Sequence, residues 1–391
     1  MRHSEESAHN EGALANSLQS EGQQQLASTA FLKNTWYVVG WSSEFAGIGP
    51  FARTVASERL VLFRTRNGKI TAFEDRCPHR LAPLSLGRVE DDDLRCMYHG
   101  LKFAANGTCI EVPGQDRVAK SLCTRTYSVA EKYQFVWIWM GDPRFAEVNL
   151  IPDVSVLDQP DRRPYRGHLD YQANYALIND NLLDLSHLEF LHQRTLGRAP
   201  ETVRRSRGVP RVPGGGQAKS LGNGVRVEGW LGANSVFVPE RARQGDLWSR
   251  VDFVVPGIYI ASGGVFPAGT AENLAGNLPQ NTNSMIYNDA IVQAVTPITL
   301  RKSRYFYCLA PLSSDVNVEE SDAIWSVILE AFSEDLRMIE AQQVSIDSCA
   351  NKSMGGIAAD RGLVMFRALM KKLISREVSG GGSPNTSGAT S

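Results

Sequence analysis

Two hydrophobic rhythms divide the chain. Between Thr35 and Gly141, apolar residues come in short runs: Trp36–Trp41, Arg53–Ala56, Leu60–Arg64 and Ile70–Phe73 are rich in β-branched and aromatic side chains. Runs of that length and composition predict strands. Asn67-Gly68 and Asn106-Gly107 predict two-residue hairpin turns, whose central positions both favour positive φ. Phe135–Met140 is continuously apolar and predicts a buried strand. Residues 31–150 therefore read as a small all-β domain, with the Pro- and Asp-rich stretch Pro152–Pro164 at its boundary.

Beyond that boundary the rhythm is mixed. Gln172–Leu191 reads as a helix, and residues 225–232, 249–262, 284–296 and 303–310 read as strands. Ile324, Ile328, Phe332 and Ile339 recur at helical spacing and predict a helix from Asp322 to about Ser348. A last amphipathic helix runs from Gly362 to Ser375. A sheet with late flanking helices makes residues 151–378 an α+β domain. Pro200–Gln217, with its Arg, Pro and Gly-Gly-Gly, reads as a long loop lying over a site. Residues 1–30 are rich in Glu, Gln, Ser and Asn without an apolar core, which predicts a disordered leader and no secretion signal. Residues 379–391 read as a flexible tail.

Composition narrows the functional classes. The 391 residues carry 41 Lys and Arg against 42 Asp and Glu, which argues against binding to nucleic acid or to an acidic membrane surface. No apolar run approaches the ~20 residues of a membrane span. Without an export signal the cytoplasm is the expected compartment. There thiols stay reduced, so the six cysteines call for a metal reading before a disulfide reading.

Two constellations carry chemistry. Cys77-Pro-His79 and Cys96-Met-Tyr-His99-Gly100 are separated by 16 residues between His79 and Cys96. Each puts one thiol and one imidazole on a turn, and two such turns together suit a Rieske [2Fe–2S] cluster. Cys77 and Cys96 would hold one iron, and His79 and His99 the other. A structural Cys₂His₂ zinc site is the competing reading, but it usually pairs Cys with Cys and His with His along the chain. Cys109, Cys123, Cys308 and Cys349 read as buried free thiols.

In the second constellation, Asn181, Asp184 and His187 recur every third residue and share one helical face. His192 reaches the same point if the helix ends or distorts near Glu189. Two imidazoles leave room for one carboxylate, the 2-His-1-carboxylate set of non-haem iron oxygenases. Asp335 is the candidate, since Ile328, Phe332, Asp335 and Ile339 are spaced 4, 3 and 4 and put it on an apolar stripe. A carboxylate there must be paired or metal-bound. A buried ion pair is the alternative for Asp335. Glu334 points off the stripe and reads as solvated.

Taken together these motifs resemble the Rieske non-haem iron oxygenases, from about Lys33 to Ser375. Within them the chain is most similar to the oxygenase subunits of the vanillate O-demethylase, dicamba O-demethylase and toluenesulfonate methyl-monooxygenase group. Asn181, Asp184, His187 and His192 match the family's Asn-x-x-Asp-x-x-His-x-x-x-x-His motif, and Glu334, Asp335 and Glu340 its acidic segment. The resemblance implies an all-β Rieske domain followed by an α+β catalytic domain with an antiparallel sheet flanked by helices. It implies a Rieske cluster, a mononuclear Fe(II) held by His187, His192 and Asp335, and a homotrimer. It also implies that Asp184 lies between His187 and a cluster imidazole of the next subunit; the plainer alternative is that Asp184 only orients His187.

The implied reaction uses O₂, an aromatic acid and electrons from NAD(P)H through a separate flavin/iron–sulfur reductase or a ferredoxin. The chain shows no Gly-x-Gly-x-x-Gly fingerprint of its own. Monooxygenation at a methoxy or methyl group is the first reading, and cis-dihydroxylation or angular dioxygenation of the ring the second. An electron carrier would leave residues 165–375 without a role. Gln293 stands where many demethylases of the group have a His, and Trp325 near a substrate-contacting Trp. Gln293 and Asn288 are the pocket candidates.

Overall fold

The computed structural model describes residues 31–195, 217–231, 245–281, 283–349, 352, 354–357 and 360–380. The leader, residues 200–216 of the expected loop and the tail beyond Gly380 lie outside the described residues. The first half consists of strands β1 (Trp36–Trp41), β2 (Phe51–Val55), β3 (Glu58–Arg64), β4 (Ile70–Glu74), β5 (Arg88–Glu90), β6 (Asp93–Arg95), β7 (Lys102–Phe103), β8 (Cys109–Glu111), β9 (Thr126–Tyr127), β10 (Val129–Lys132) and β11 (Phe135–Trp139). They form three antiparallel sheets, ordered β1-β11-β10, β2-β3-β4-β9 and β5-β6-β7-β8.

The two Asn-Gly signals do make turns, but not of the two-residue kind. Only the glycines are left-handed, at φ +83° for Gly68 and +82° for Gly107. Thr65 N donates to Lys69 O at 2.9 Å and Gly68 N to Thr65 O at 2.9 Å, a three-residue loop closed by a left-handed glycine. Ala104, Gly107 and Thr108 repeat the pattern.

The second half is one seven-stranded antiparallel sheet of β12 (Tyr165–Tyr171), β13 (Gln217–Ser220), β14 (Gly224–Leu231), β15 (Asp246–Val254), β16 (Ile258–Phe266), β17 (Tyr287–Thr299) and β18 (Lys302–Leu309), in the order β12-β18-β17-β16-β15-β14-β13. Residues 249–262, expected as one strand, belong to two. Pro256 has no N–H for a ladder, and Gly257 N turns back to Val254 O at 3.0 Å. Strands β12 and β13 escaped the sequence pattern because their polar and charged residues mask the alternation.

Strand alternation gives the sheet two apolar faces. Val292, Ala294, Phe306 and Cys308 pack against Trp36, Trp41, Trp137 and Trp139 and join the two halves. The opposite face is covered by α1 (Tyr175–Leu183), α2 (Val318–Ser348) and α3 (Arg361–Val378). Helix α2 begins earlier than its apolar spacing suggests, because Asn317 and Glu320 form a reciprocal capping box. Of the four leftover cysteines, Cys109 and Cys308 are buried as expected, whereas Cys123 and Cys349 are exposed, on a short loop and just past the end of α2.

Helix α3 is tied to α1 by one ion pair. Arg367 Nε donates to Asp180 Oδ1 at 2.9 Å and Nη2 to Oδ2, with the side chains only 11% and 15% exposed. Removing one partner leaves the other charge buried and unpaired. Arg367→Ala is therefore expected to destabilise the protein by about 3–5 kcal/mol, read from chemical denaturation, and to do so more than Asp180→Asn with Arg367→Met combined.

Candidate metal centre and substrate cavity

The site begins where a helix stops. Residues 172–191, expected as one helix, break at Asp184, five residues before the anticipated point. Helix α1 ends at Leu183, Asp184 is extended at φ −113° and ψ 99°, and a 3₁₀ turn over Leu185–His187 leads into a one-turn helix, Leu188–Leu191. The Asp184 carboxylate caps that turn, accepting from Ser186 N at 2.8 Å. The Asp184 carbonyl accepts from His187 Nδ1 at 2.5 Å. The three residues thus do not share one helical face, yet the break still brings Asn181 Nδ2 within 3.4 Å of His187 Nε2.

Helix α2 supplies the carboxylates. Its buried face is Ser321, Ile324, Ile328, Ala331, Asp335, Ile339 and Gln343, so Asp335 does lie on the apolar stripe. Asp335 Oδ1 is 3.0 Å from Asn181 Nδ2, 3.6 Å from His187 Nε2 and 3.2 Å from His192 Nε2. Glu334 is not solvated. Its Oε2 accepts from His192 Nδ1 at 2.8 Å and from Thr195 Oγ1 at 2.8 Å. Sequence periodicity missed this because the partner turn around His192 comes from a distant part of the chain.

Each imidazole thus has its Nδ1 proton taken by an oxygen and its Nε2 turned toward the centre. Burial opposes a charge on His192, but Asp335 and Glu334 together outweigh it and hold that imidazole above its ordinary value. His192 Nε2 is buried without a hydrogen-bond partner although Asp335 Oδ1 is near. One donor atom each from His187, His192 and Asp335 fall within 4.8 Å of one another. A buried nitrogen without a hydrogen-bond partner, beside a carboxylate oxygen and a second imidazole, fits a divalent metal, and the donor set is that of non-haem iron.

These groups open onto a cavity of about 170 Å³ between the sheet and α2. Leu185, Ala261, Ile291, Ile328 and Phe332 make it apolar. Gln293 and Trp325 line it. Asn288 does not: its side chain turns away and accepts from Arg162 Nη2 at 2.8 Å. Its neighbour Asp289, not singled out from the sequence, faces the cavity instead.

The Cys-His turns are near-copies of each other. Cys77 N donates to Ala82 O and Leu81 N to Cys77 O, each at 2.8 Å; Cys96 N donates to Leu101 O at 2.8 Å and Gly100 N to Cys96 O at 2.9 Å. Each closes on a left-handed residue, Leu81 at φ +57° and Gly100 at φ +78°. Buried Asp75 pins the first turn, accepting from Ser85 N at 2.6 Å and Ser85 Oγ at 2.8 Å and pairing with Arg59. Cys77 and Cys96 are buried, while His79 and His99 are exposed with ring centroids 4.6 Å apart. Burial, with the neighbouring Cys96, pushes the Cys77 thiol up to about 11 against the pull of backbone N–H groups at His79 and Arg80. Binding as thiolate therefore displaces a proton. Two sulfurs inside and two imidazoles outside suit a Rieske cluster.

Comparison with known proteins places the whole chain. Residues 35–127 match the Rieske [2Fe-2S] domain and residues 171–376 the vanillate O-demethylase oxygenase C-terminal domain. The chain is 35% identical over 361 residues to the toluene-4-sulfonate monooxygenase system iron-sulfur subunit of Comamonas testosteroni, covering 90% of this chain and 100% of that one. It is 31% identical over 367 residues to a vanillate O-demethylase oxygenase subunit of a Pseudomonas species, covering 89% and 96%. The crystal structure of dicamba monooxygenase bound to dicamba matches with a TM-score of 0.76 at 26% identity, over 89% of this chain and 99% of that chain. The class these matches define is the two-centre oxygenase, an oxidoreductase with an iron–sulfur cluster and a separate non-haem iron. This chain belongs to the Rieske non-haem iron oxygenases, in the branch that carries the vanillate O-demethylase C-terminal domain. The relatives it matches are named as the iron-sulfur or oxygenase subunits of multi-component systems, and this chain corresponds to that component. No described helix is long and apolar enough to cross a membrane.

Glu334 gives the donor set a test. Glu334→Ala frees the Nδ1 proton of His192, and loss of such a supporting carboxylate costs about 10–100-fold in metal affinity. Titration with Fe(II) or Co(II) should show that loss, with the visible absorbance of the cluster unchanged.

Proposed function

We propose that this chain monooxygenates an aromatic acid at a methoxy or methyl carbon, working in the cytoplasm as a head-to-tail homotrimer fed by a flavin/iron–sulfur reductase. The observation that carries this reading is the convergence of His187 Nε2, His192 Nε2 and Asp335 Oδ1 on the apolar cavity. His187, His192 and Asp335 would hold the mononuclear iron, in a catalytic domain of residues 151–378. Cys77, His79, Cys96 and His99 would hold the cluster, in a domain of residues 31–150. When bound, the iron supplies O₂ activation, driven by electrons that arrive through the cluster.

The chain's own residues do the rest. The Asp184 carbonyl and Glu334 hold the two imidazoles in the tautomer that leaves Nε2 bare. Asn181 fixes Asp335 by donating to Oδ1. The apolar walls exclude water and seat a flat ring. The Asp184 carboxylate spends one oxygen on Ser186 N and is half-buried, which leaves it able to take a bond from an imidazole of a neighbouring subunit. The balance for a methyl ether is one O₂, two electrons and two protons in, with a phenol, formaldehyde and water out. The names of the cited relatives, demethylases and monooxygenases, support this over ring dihydroxylation.

The test is product analysis. Purified protein with a surrogate reductase, NADH and O₂ is given methoxy- and methyl-substituted benzoic and sulfonic acids. Loss of CH₂ with formaldehyde release, or gain of one oxygen at a methyl group, is expected; gain of two oxygens and two hydrogens on the ring would overturn the reading. Asp335→Ala should lose the mononuclear iron by metal analysis and keep the red-brown cluster. Asp184→Asn should keep both and slow cluster reoxidation by substrate and O₂ at least about tenfold in stopped flow; full turnover would remove the bridging role.

A further inference from the structure

The cavity wall opposite the helices is a sheet whose rows follow from its register. Ser249 of β15, Gly263 of β16 and Asp289 of β17 are cross-strand partners on one face. The next row on that face runs through Ala261, Ile291 and Leu309, and the third through Tyr259, Gln293 and Tyr307. All nine line the cavity. Gly263 carries no side chain between Ser249 and Asp289. A Cβ there would come within 2.8 Å of Trp248 O.

Helix α2 gives the wall a direction. Ile324 and Ile328 pack with Val265, Tyr287 and Leu309. Phe332, further along, packs on Tyr305 and Tyr307. Asp335 comes after that. The Gln293 row is thus the one nearer the metal ligands, and Asp289 sits at the remote end, four strand residues or about 13 Å from Gln293.

Asp289 is poorly served by the protein. Among the described residues the one hydrogen bond to its carboxylate is a long one from Tyr287 Oη, 3.3 Å to Oδ2. Among the described residues no cation pairs with it within 4 Å, and none of the lining residues is Lys or Arg. The guanidinium whose charge acts on Asp289, Arg162, makes its hydrogen bonds to Gln159, the Ala310 carbonyl and Asn288. Burial pushes the Asp289 carboxyl up to about 6, against the Tyr287 bond and the more distant Arg162. At neutral pH it is still mostly an acceptor. Gln293 Oε1 is also buried without a partner. An acceptor facing an apolar cavity costs free energy until a ligand brings a donor.

We propose that Asp289 is a specificity-determining residue that anchors a hydrogen-bond-donating ring substituent, a hydroxyl or an amino group, at the end of the substrate remote from the carbon that is oxidised. This rests on the monooxygenase reading and narrows its substrate class. A carboxylate or sulfonate in the same place would face a like charge in a low dielectric, so the acid group of the substrate lies elsewhere on the ring.

Calorimetric binding to the holoenzyme without reductase tests it, using methoxybenzoic acids in matched pairs with and without a ring hydroxyl or amino group. In the native protein one donor-bearing member should bind at least about tenfold more tightly than its partner. Asp289→Leu should abolish that preference, and the near-isosteric Asp289→Asn, which keeps an acceptor and secures the test if the Leu variant misfolds, should retain only part of it. The readout is the affinity ratio within each pair, since removing a buried carboxylate from the wall shifts binding of both members together. Equal affinities within every pair, or a preference that survives Asp289→Leu, would overturn the anchor. Product analysis separates the two ideas: demethylation without a preference rejects the anchor alone. A preference that depends on Asp289 with neither demethylation nor methyl hydroxylation supports the anchor and rejects the monooxygenase reading.

Discussion

The bond from His187 Nδ1 to the backbone carbonyl of Asp184 is what the rest of the site depends on. An imidazole offers a lone pair only from the nitrogen that lacks a proton, so the proton must be held on the other nitrogen. In an unbroken helix the Asp184 carbonyl would be spent on an amide four residues later. The extended conformation at Asp184 releases it for His187 instead. The same break turns the chain so that His192 returns to Glu334, which holds the second Nδ1 proton. One interruption of a helix therefore orients two rings.

The two halves of the chain treat polarity in opposite ways. In the cluster turns the sulfurs are buried and the imidazoles exposed, so any electron or proton that enters meets the imidazole edge first. In the catalytic half the imidazoles face inward, toward a cavity with few polar atoms. The tryptophan cluster of Trp36, Trp41, Trp137 and Trp139 fixes the sheet against the first half, so the distance between the two sets within one chain is set by rigid packing. That rigidity is consistent with electrons crossing between subunits in the proposed ring.

Local features were legible in the sequence, and long-range ones were not. The family, the α+β class and the oxidoreductase character follow from motifs whose residues are neighbours on the chain. Asp335 could be placed on a buried stripe because α2 is regular over 31 residues, so its phase is unambiguous. The break at Asp184 left no mark, since residues 175–191 contain neither Gly nor Pro and the extended residue is held by the contacts of its own side chain and carbonyl. Glu334 was misread because its phase on α2 says nothing about a turn brought in from residue 192. Asn288 misses the cavity that its neighbour Asp289 faces, because a shift of one residue along a strand exchanges one face of the sheet for the other.

Glu334 and Asp335 are consecutive, and they flank His192: Glu334 accepts the Nδ1 proton, while Asp335 stands beside Nε2. Three residues of the same helix, Trp325, Ile328 and Phe332, are cavity wall. The helix that carries the candidate carboxylate donor is thus also a wall of the cavity. Strands β16 and β17 contribute wall but none of the three candidate donors. Side chains on the strands can therefore reshape the cavity without moving the helix that carries Glu334 and Asp335.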